Sequence, residues 1–341
     1  MLVLLFNLFC NMPILKKILT PRLEWLIIPI IFSAIVWFVP YLFGAAYPQP
    51  NYPFQLFGTF TWFTLSAGWA HFIQFFCQVA IAIFLMRLCE RWQLIPIRSA
   101  IPLVVGLFIM STIAEVQFFD ARMVALALFL LAVAELFSMY SYSGEKVSVP
   151  FNIGFLLTSA AFFQQEYIFL LMVFILGMIV FSTFTVRAFF ALLSGALLPL
   201  FVFWSILFLS DNMSFLYDIL SKSHIYNFNN GLPILSSNVI FGGVLILLFL
   251  ISLISYFSVS LNFKLHIRLN FFFVNLAFVL TTIWAALFFY KFASLLIVPL
   301  MFLIVLVSFF FSTNQSKFAN ILFIVFLVSG LAYRVLNLIG I

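Results

Sequence analysis

The sequence predicts an all-α fold, a polytopic transmembrane helical bundle of about eleven segments. Composition is the first observation behind this prediction, because 66% of the 341 residues are hydrophobic and only 7% are charged. A soluble domain carries roughly 25% charged residues. The 15 basic and 9 acidic side chains of this chain are too few to cover a water-soluble globule. Composition therefore excludes a soluble enzyme, a nucleic-acid-binding protein and a disordered chain.

Long apolar runs are the second observation, since a helix needs about 20 apolar residues to cross the hydrocarbon core. The runs predict segments at 24–45, 68–88, 100–117, 122–142, 151–163, 167–185, 188–209, 238–260, 269–289, 292–312 and 318–338. We therefore expect an N-terminal cytoplasmic or interfacial segment, 1–23, and one transmembrane domain, 24–341. The true start is either Met1 or Met12. A longer outer loop at 210–237 has room for a short amphipathic helix on the membrane surface.

The run at 151–163 is too short to cross a bilayer upright. Only Gln164, Gln165 and Glu166 separate it from the next run. The two runs are therefore predicted to form a tight helical hairpin that counts as two passes.

The placement of Lys and Arg is the third observation, because cytoplasmic loops carry an excess of them. With a cytoplasmic N-terminus, eleven basic residues lie at the inner side and four at the outer side. The inner ones are Lys16, Lys17, Arg22, Arg87, Arg91, Arg98, Lys146, Arg187, Lys264, Arg268 and Lys317, and the outer ones are Arg122, Lys222, Lys291 and Arg334. The asymmetry predicts a multi-pass protein of the bacterial cytoplasmic (inner) membrane, with its C-terminus at the outer side.

Polar groups at membrane depth usually face a cavity or a partner, so the outer ends of the helices are the expected functional region. Glu115 and Asp120 are the candidate catalytic residues. With Arg122 they form an outer cluster between the third and fourth segments, which could bind a metal ion or a lipid phosphate. A solvated turn with a local ion pair is the structural alternative.

The same outer side is expected to hold further polar side chains. They are Gln164, Gln165 and Glu166 at the hairpin tip, His71 one turn into the second segment, and His224 in the long loop. No HExxH spacing, Walker motif or nucleophile elbow is present, so neither a metal nor a cofactor is expected.

Glu135 is the acid most deeply embedded in an apolar run, LAVAELFSMYSY. One interpretation is a proton relay or ligand group inside the bundle. The other is a hydrogen bond between neighbouring helices.

Four runs carry a resemblance to a known family. They are IPIRSAIPLVVGLFIM at 95–110, ARMVALALFLLAVAELFSM at 121–139, PFNIGFLLTSAAFFQQEYIFLLMVFILGMIVF at 150–181 and VRAFFALLSGALLPLFVF at 186–203. The matching positions are Phe151, Asn152, Gly154, Arg187, Gly195 and Pro199. About a third of the chain thereby resembles a bacterial family of polytopic inner-membrane proteins that is known as a domain of unknown function. Gln164 and Gln165 stand where that family has an aromatic–Pro pair.

The multi-span bundle, the short hairpin and the polar outer side are also similar, at the level of fold, to GT-C-type membrane glycosyltransferases. That resemblance implies an enzyme that acts on a polyprenyl-phosphate-linked sugar. Those enzymes place an essential acid in the first outer loop, and AAYPQPNYPFQLFGTFTWF at 45–63 contains none.

We therefore expect a non-catalytic scaffold or lipid-binding component of cell-envelope assembly. The alternatives are a GT-C-like enzyme at the outer face and a secondary transporter. The expected partners are membrane lipids, a lipid-linked substrate or envelope-assembly proteins, and no nucleic acid.

Overall fold

The fold was examined in a computed structural model that describes residues 24–42, 44, 51–56, 60–95, 99–113, 117, 119–141, 147–211, 236–259, 263–288, 295–314 and 316–339. In this part of the chain, eleven α-helices and one 3₁₀ helix form a bundle, and two strands form a hairpin. The elements are α1 (Glu24–Leu42), β1 (Asn51–Leu56), β2 (Phe60–Ser66), α2 (Ala67–Arg91), α3 (Ile101–Thr112), α4 (Ala121–Ser141), α5 (Ser148–Phe163), the 3₁₀ helix (Gln165–Leu170), α6 (Leu171–Val180), α7 (Val186–Leu209), α8 (Ser236–Val259), α9 (Leu265–Leu287), α10 (Ile297–Thr313) and α11 (Lys317–Ile339). The predicted all-α bundle is confirmed.

Six of these helices are long and apolar enough to cross a membrane. Helices of this length and composition are the mark of a membrane protein. They are α2, α4, α7, α8, α9 and α11. Their apolar surfaces remain exposed, most of all on α7 and α8 at the edge of the bundle. Lipid is the medium in which such surfaces are stable.

The β-hairpin is an element that the apolar runs did not predict. It lies in the predicted first outer loop, where β1 and β2 pair antiparallel from Asn51 opposite Ser66 to Leu56 opposite Phe60. The predicted N-terminal segment 1–23 and most of the loop 210–237 lie outside the described residues.

Contacts along the helices show which of them run in the same direction. In α4 and α6, Phe129 packs on Phe174 with ring centroids 5.7 Å apart, and Phe137 packs on Phe181 at 6.1 Å. These two helices are therefore parallel.

The helices α5 and α7 are also parallel, because Gly154 faces Leu192 while Phe162 faces Phe203 at 5.4 Å further along. Their N-terminal turns lie side by side. Only residues 181–185 separate the end of α6 from the start of α7. The helix α6 therefore runs antiparallel to both α5 and α7. The predicted helical hairpin at 151–185 is thus present as α5, the 3₁₀ helix and α6.

The bundle has two ends, which we call the His71 end and the Trp92 end after the residues near the termini of α2. Asn270 at the start of α9 donates to the Trp92 carbonyl at 3.3 Å, whereas Trp284 near the end of α9 donates to the Glu166 carbonyl at 3.2 Å. The same pattern of contacts holds along the chain, so that successive helices alternate in direction. As a result α1 starts at the Trp92 end and α11 finishes at the His71 end.

The helix α10 is the centre of the core, because every residue from Ile297 to Ser312 is buried. A helix that is apolar all round is typical of such a position. It packs against α2, α3, α8, α9 and α11.

The closest helix contact predicts a sensitive substitution. A Cβ atom at Gly154 would overlap the Leu192 carbonyl oxygen and the Ala196 nitrogen of α7. We expect Gly154→Ala to lower the free energy of unfolding by about 1–3 kcal/mol, because backbone cannot yield as a side chain does. Thermal unfolding in detergent measures the effect.

The matched control is Gly242→Ala in α8, where the added methyl group meets no atom within 4 Å. Alanine is the better helix former, so this variant should be at least as stable as the wild type. Equal losses in the two variants would show that close packing does not hold α5 on α7.

Candidate functional site

Arg334 is the most unusual side chain at the His71 end, because a buried guanidinium lies among apolar helices. Only 5% of the residue is exposed. Its Nη2 donates to Oε1 of Gln117 at 2.9 Å, and its side chain also hydrogen-bonds Tyr41. Its Nε has no hydrogen-bond partner among the described residues. Arg334 lies inside α11, which continues to Ile339, as the predicted segment 318–338 implies.

Gln117 connects Arg334 to the neighbouring helices. Its Oε1 also accepts a hydrogen bond from the Tyr41 hydroxyl at 3.2 Å, and its Nε2 donates to the Ser111 carbonyl at 3.3 Å. Its backbone carbonyl faces Nδ1 of His71 at 3.1 Å. One amide residue thereby joins α1, α2, α3 and α11.

His71 is buried against Trp37, with stacked rings whose centroids are 5.0 Å apart. Its Nε2 lies 3.3 Å from the Trp37 carbonyl oxygen, so both ring nitrogens face carbonyl oxygens. A carbonyl oxygen only accepts, and a neutral imidazole donates from one nitrogen. Both hydrogen bonds therefore form together only in the imidazolium form. We call Trp37, Tyr41, His71, Gln117 and Arg334 the Arg334 cluster.

A second group of polar residues lies at the same end, and we call Asp120, Arg122, Gln164, Glu166 and Tyr167 the Glu166 cluster. The Asp120 carboxylate forms an ion pair with the Arg122 guanidinium and accepts from the Arg122 backbone N–H at 2.9 Å. Glu166 is 4% exposed, and its Oε2 accepts from Nε2 of Gln164 at 2.8 Å. Asp120 and Arg122 thus form a local ion pair. Both interpretations of the outer cluster stay predictions, because Glu115 lies outside the described residues.

Tyr167 is the buried tyrosine of the Glu166 cluster. Asp120, Arg122 and Glu166 all interact electrostatically with its hydroxyl. That hydroxyl is buried and has no hydrogen-bond partner among the described residues. The Tyr167 ring packs edge-on against Trp284 at 5.9 Å. The cluster thus contains two carboxylates, which accept hydrogen bonds, and one hydroxyl, which can donate one.

The structure thus brings together part of the predicted outer polar cluster. Asp120 contacts Arg122, Gln164 contacts Glu166, and Asp120, Arg122 and Glu166 all lie near Tyr167. Gln165 opens the 3₁₀ helix that contains Glu166. His71 belongs to the separate Arg334 cluster. Glu115 and His224 lie outside the described residues.

Glu135 is half-buried in α4, as the sequence predicts for an acid inside a helix. Among the described residues its carboxylate forms no hydrogen bond. Only its backbone carbonyl accepts one, from the Ser138 hydroxyl at 2.6 Å. A hydrogen bond from the Glu135 side chain to a neighbouring helix, one of the two interpretations, is not found among the described residues.

Three features of this end were not predicted from the sequence: Gln117, the burial of Arg334 and the polar face of α2. That face holds His71, Gln74 and Gln78 at helical spacing, all of them buried. Nε2 of Gln78 donates to the Ser33 hydroxyl of α1 at 3.3 Å. The sequence signal for this polar face is one polar residue in each turn of an apolar run. That spacing places His71, Gln74 and Gln78 on one side of a helix.

The fold and the two clusters define a helical membrane protein with a polar layer at one end. Comparisons with protein-family models, with curated proteins and with solved structures found no match. The resemblances of 94–204 to the family of unknown function and of the bundle to GT-C enzymes therefore stay predictions. In the described residues no group of three or more His, Cys, Asp or Glu is placed to hold a metal ion.

The Arg334 cluster predicts a non-additive pair of substitutions. Gln117→Leu removes the oxygen that accepts from the buried guanidinium and should lower the free energy of unfolding by about 1–3 kcal/mol. Adding Arg334→Met removes the charge itself, so the double variant should recover part of that loss. Thermal unfolding of the two single variants and the double variant measures the coupling. If the stability losses of the two single variants add up to the loss of the double variant, Gln117 and Arg334 do not interact.

Proposed function

We propose that this protein is a multi-pass protein of the bacterial cytoplasmic membrane and a non-catalytic, lipid-binding component of cell-envelope assembly. In this proposal the Arg334 cluster holds the phosphate of a lipid headgroup. The observation that carries it is the buried Arg334 guanidinium, whose hydrogen-bond partners in the described residues, the Gln117 amide oxygen and the Tyr41 hydroxyl, are not carboxylates.

Burial of an ion is costly, by several kcal/mol even after relaxation of the surrounding protein. Two salt bridges exist among the described residues, Arg87 with Glu90 and Arg122 with Asp120, and neither involves Arg334. A bound anion would supply the missing negative charge and an acceptor for Nε. The planar guanidinium fork matches phosphate oxygens.

The position of Arg334 agrees with a headgroup. The candidate membrane span of α11 runs from Lys317 to Leu336, so Arg334 lies in its last turn. Lipid phosphates lie at the ends of spans, not at their centres. Arg334 is therefore at the depth of the headgroup layer.

The orientation is proposed from charge. Arg334 lies inside a helix and is therefore not counted as a loop residue. Three basic residues then remain at the outer side, Arg122, Lys222 and Lys291, compared with eleven at the inner side. The alternating helices support counting the hairpin as two passes. The Trp92 end then faces the cytoplasm and the His71 end faces outward.

Thiol labelling of whole cells tests the orientation. In a cysteine-free background, a membrane-impermeant maleimide should label Asp211→Cys at the His71 end. It should label Ser316→Cys at the Trp92 end only after the cells are opened. Both positions are exposed. The opposite labelling pattern would overturn the orientation.

Native mass spectrometry with polyprenyl phosphate and phosphatidylglycerol tests the binding function. Charge-assisted hydrogen bonds contribute about 1.5–3 kcal/mol. Arg334→Gln should therefore weaken the binding of either phosphate-bearing lipid about tenfold or more. Arg334→Lys should weaken it less, because it keeps the charge and loses only the fork.

The matched control is Lys317→Gln, which removes one charge at the other end of the same helix and should bind as the wild type does. Unchanged binding by a folded Arg334→Gln variant would refute the proposed site. Folding is checked by a monodisperse elution profile and by thermal unfolding.

A second candidate function rests on the Glu166 cluster. Two carboxylates around the Tyr167 hydroxyl are the groups that a GT-C-like enzyme would use as a general base on a lipid-linked sugar. Since Asp120 is already paired with Arg122, the binding function is the better supported one.

Asp120→Asn combined with Glu166→Gln separates the two functions. If the protein is non-catalytic, the folded double variant should give wild-type growth and envelope composition. A general base contributes typically 10²–10⁴-fold in rate. An enzyme would therefore lose its activity, and a phenotype like that of the gene deletion in a folded double variant would favour catalysis.

A further inference from the structure

An acid and an amide lie on the outer side of the bundle, on the neighbouring helices α4 and α5. Glu135 of α4 is half-buried, and Asn152 of α5 is exposed. Among the described residues neither side chain forms a hydrogen bond or an ion pair. Both residues lie outside the Arg334 cluster and the Glu166 cluster, so an interaction of these two groups does not depend on the proposed function.

Both side chains belong to helix faces that point away from the bundle. In α4, Leu131 lies one turn before Glu135 and is 44% exposed. In α5, Phe155 lies one turn after Asn152 and is 40% exposed. Residues three or four positions apart share one side of a helix, so each polar group stands in an exposed row. We call Leu131, Glu135, Asn152 and Phe155 the α4–α5 face.

The two polar groups lie at nearly the same depth. The helices α4 and α5 pack against each other and are joined at the Trp92 end by residues 142–147. At a rise of 1.5 Å per residue, Glu135 is about 9 Å before the end of α4 and Asn152 is about 6 Å after the start of α5. Their backbones therefore differ in depth by about 3 Å, a difference that side chains can bridge.

Lipid is a poor neighbour for these groups. The candidate membrane span of α4 runs from Ala121 to Met139 and contains Glu135. Acidic side chains within spans are rare and pair with other polar groups, because the hydrocarbon core offers no hydrogen bonds. A purely apolar partner would leave both groups as unpaired as lipid does. An occupant that stabilises the α4–α5 face must therefore bring a donor for Glu135 and an acceptor for Asn152 to this depth.

A second copy of this chain supplies both groups. A carboxyl oxygen accepts hydrogen bonds and a side-chain amide donates them, so Glu135 and Asn152 are complementary to each other. In a twofold-symmetric dimer every contact between two different residues occurs twice, with the roles of the protomers exchanged. A twofold axis along the membrane normal also preserves the depth of each residue. It therefore brings Glu135 of one protomer to the level of Asn152 of its partner.

We propose that the α4–α5 face is a homodimer interface, in which the Glu135 carboxyl group of each protomer accepts a hydrogen bond from the Asn152 amide of its partner. Ala127, Ala134 and Ser138 lie on the same side of α4 as Glu135. Their small side chains let the partner helix approach closely, as hydrogen bonding between membrane helices requires. The two symmetric pairs also fix the register, because a slide by one helix turn separates both.

Disulfide cross-linking in membranes tests the pairing. Two differently tagged copies of the full chain are coexpressed in a cysteine-free background, one with Glu135→Cys and the other with Asn152→Cys. Oxidation should give a mixed disulfide dimer, whose reciprocal pair keeps the native Glu135 and Asn152.

The matched control is Ile254→Cys in place of Asn152→Cys. Ile254 is 69% exposed and belongs to α8, which packs on α10 and α11. It lies about 8 Å before the end of its helix, so its depth is similar. No mixed dimer with Asn152→Cys, or an equal yield with Ile254→Cys, would overturn the proposal.

Single-molecule photobleaching in liposomes over a range of protein densities measures the dimer affinity. Glu135→Leu should weaken dimerisation about tenfold, because a hydrogen bond between membrane helices is modest and each dimer loses two. Glu135→Gln keeps an oxygen acceptor and should lose less.

Glu90→Leu is the control for charge, because Glu90 is an acid at the same end of the bundle that pairs with Arg87. It should leave the dimer affinity unchanged. An equal effect of Glu90→Leu and Glu135→Leu would overturn the proposal. So would a wild type that stays monomeric at every density, as it would if only lipid or another protein covered the α4–α5 face.

Discussion

The Arg334 guanidinium is the group on which the His71 end of the bundle depends, because its charge must be accommodated where little water is present. It is held by a neutral amide, Gln117, which is 217 positions away in the chain. The same amide accepts from Tyr41 and donates to the Ser111 carbonyl. An amide with both donor and acceptor capacity can satisfy such mixed neighbours, whereas a carboxylate could only accept.

This contact also fixes the second cluster. Gln117 and Asp120 belong to the same short connection between α3 and α4, and Phe119 between them donates its N–H to the Ala70 carbonyl of α2 at 3.1 Å. The connection is thus held on α2 at its middle, with the Arg334 cluster before this point and the Glu166 cluster after it.

The sequence predicted the helices well, because a run of about 20 apolar residues has few stable alternatives in a bilayer. It also predicted the hairpin at 151–185, since the charge count required two passes there. The strands at 51–66 were not predicted, because prolines and an irregular polar pattern conceal them. The pairing of Gln117 with Arg334 could not be predicted, because each residue alone resembles an ordinary polar residue near a helix end. Only the packing of α11 beside α3 reveals it.

A density map of the protein in nanodiscs that contain anionic lipid would test the central claim most directly. If Arg334 holds a lipid phosphate, headgroup density should lie within about 3 Å of its Nε, the distance of a charge-assisted hydrogen bond. Gln117 should remain the protein acceptor of Nη2 in the same map. A map in which Arg334 is paired with a carboxylate of the chain itself, with no lipid density beside it, would contradict the proposed role of the Arg334 cluster.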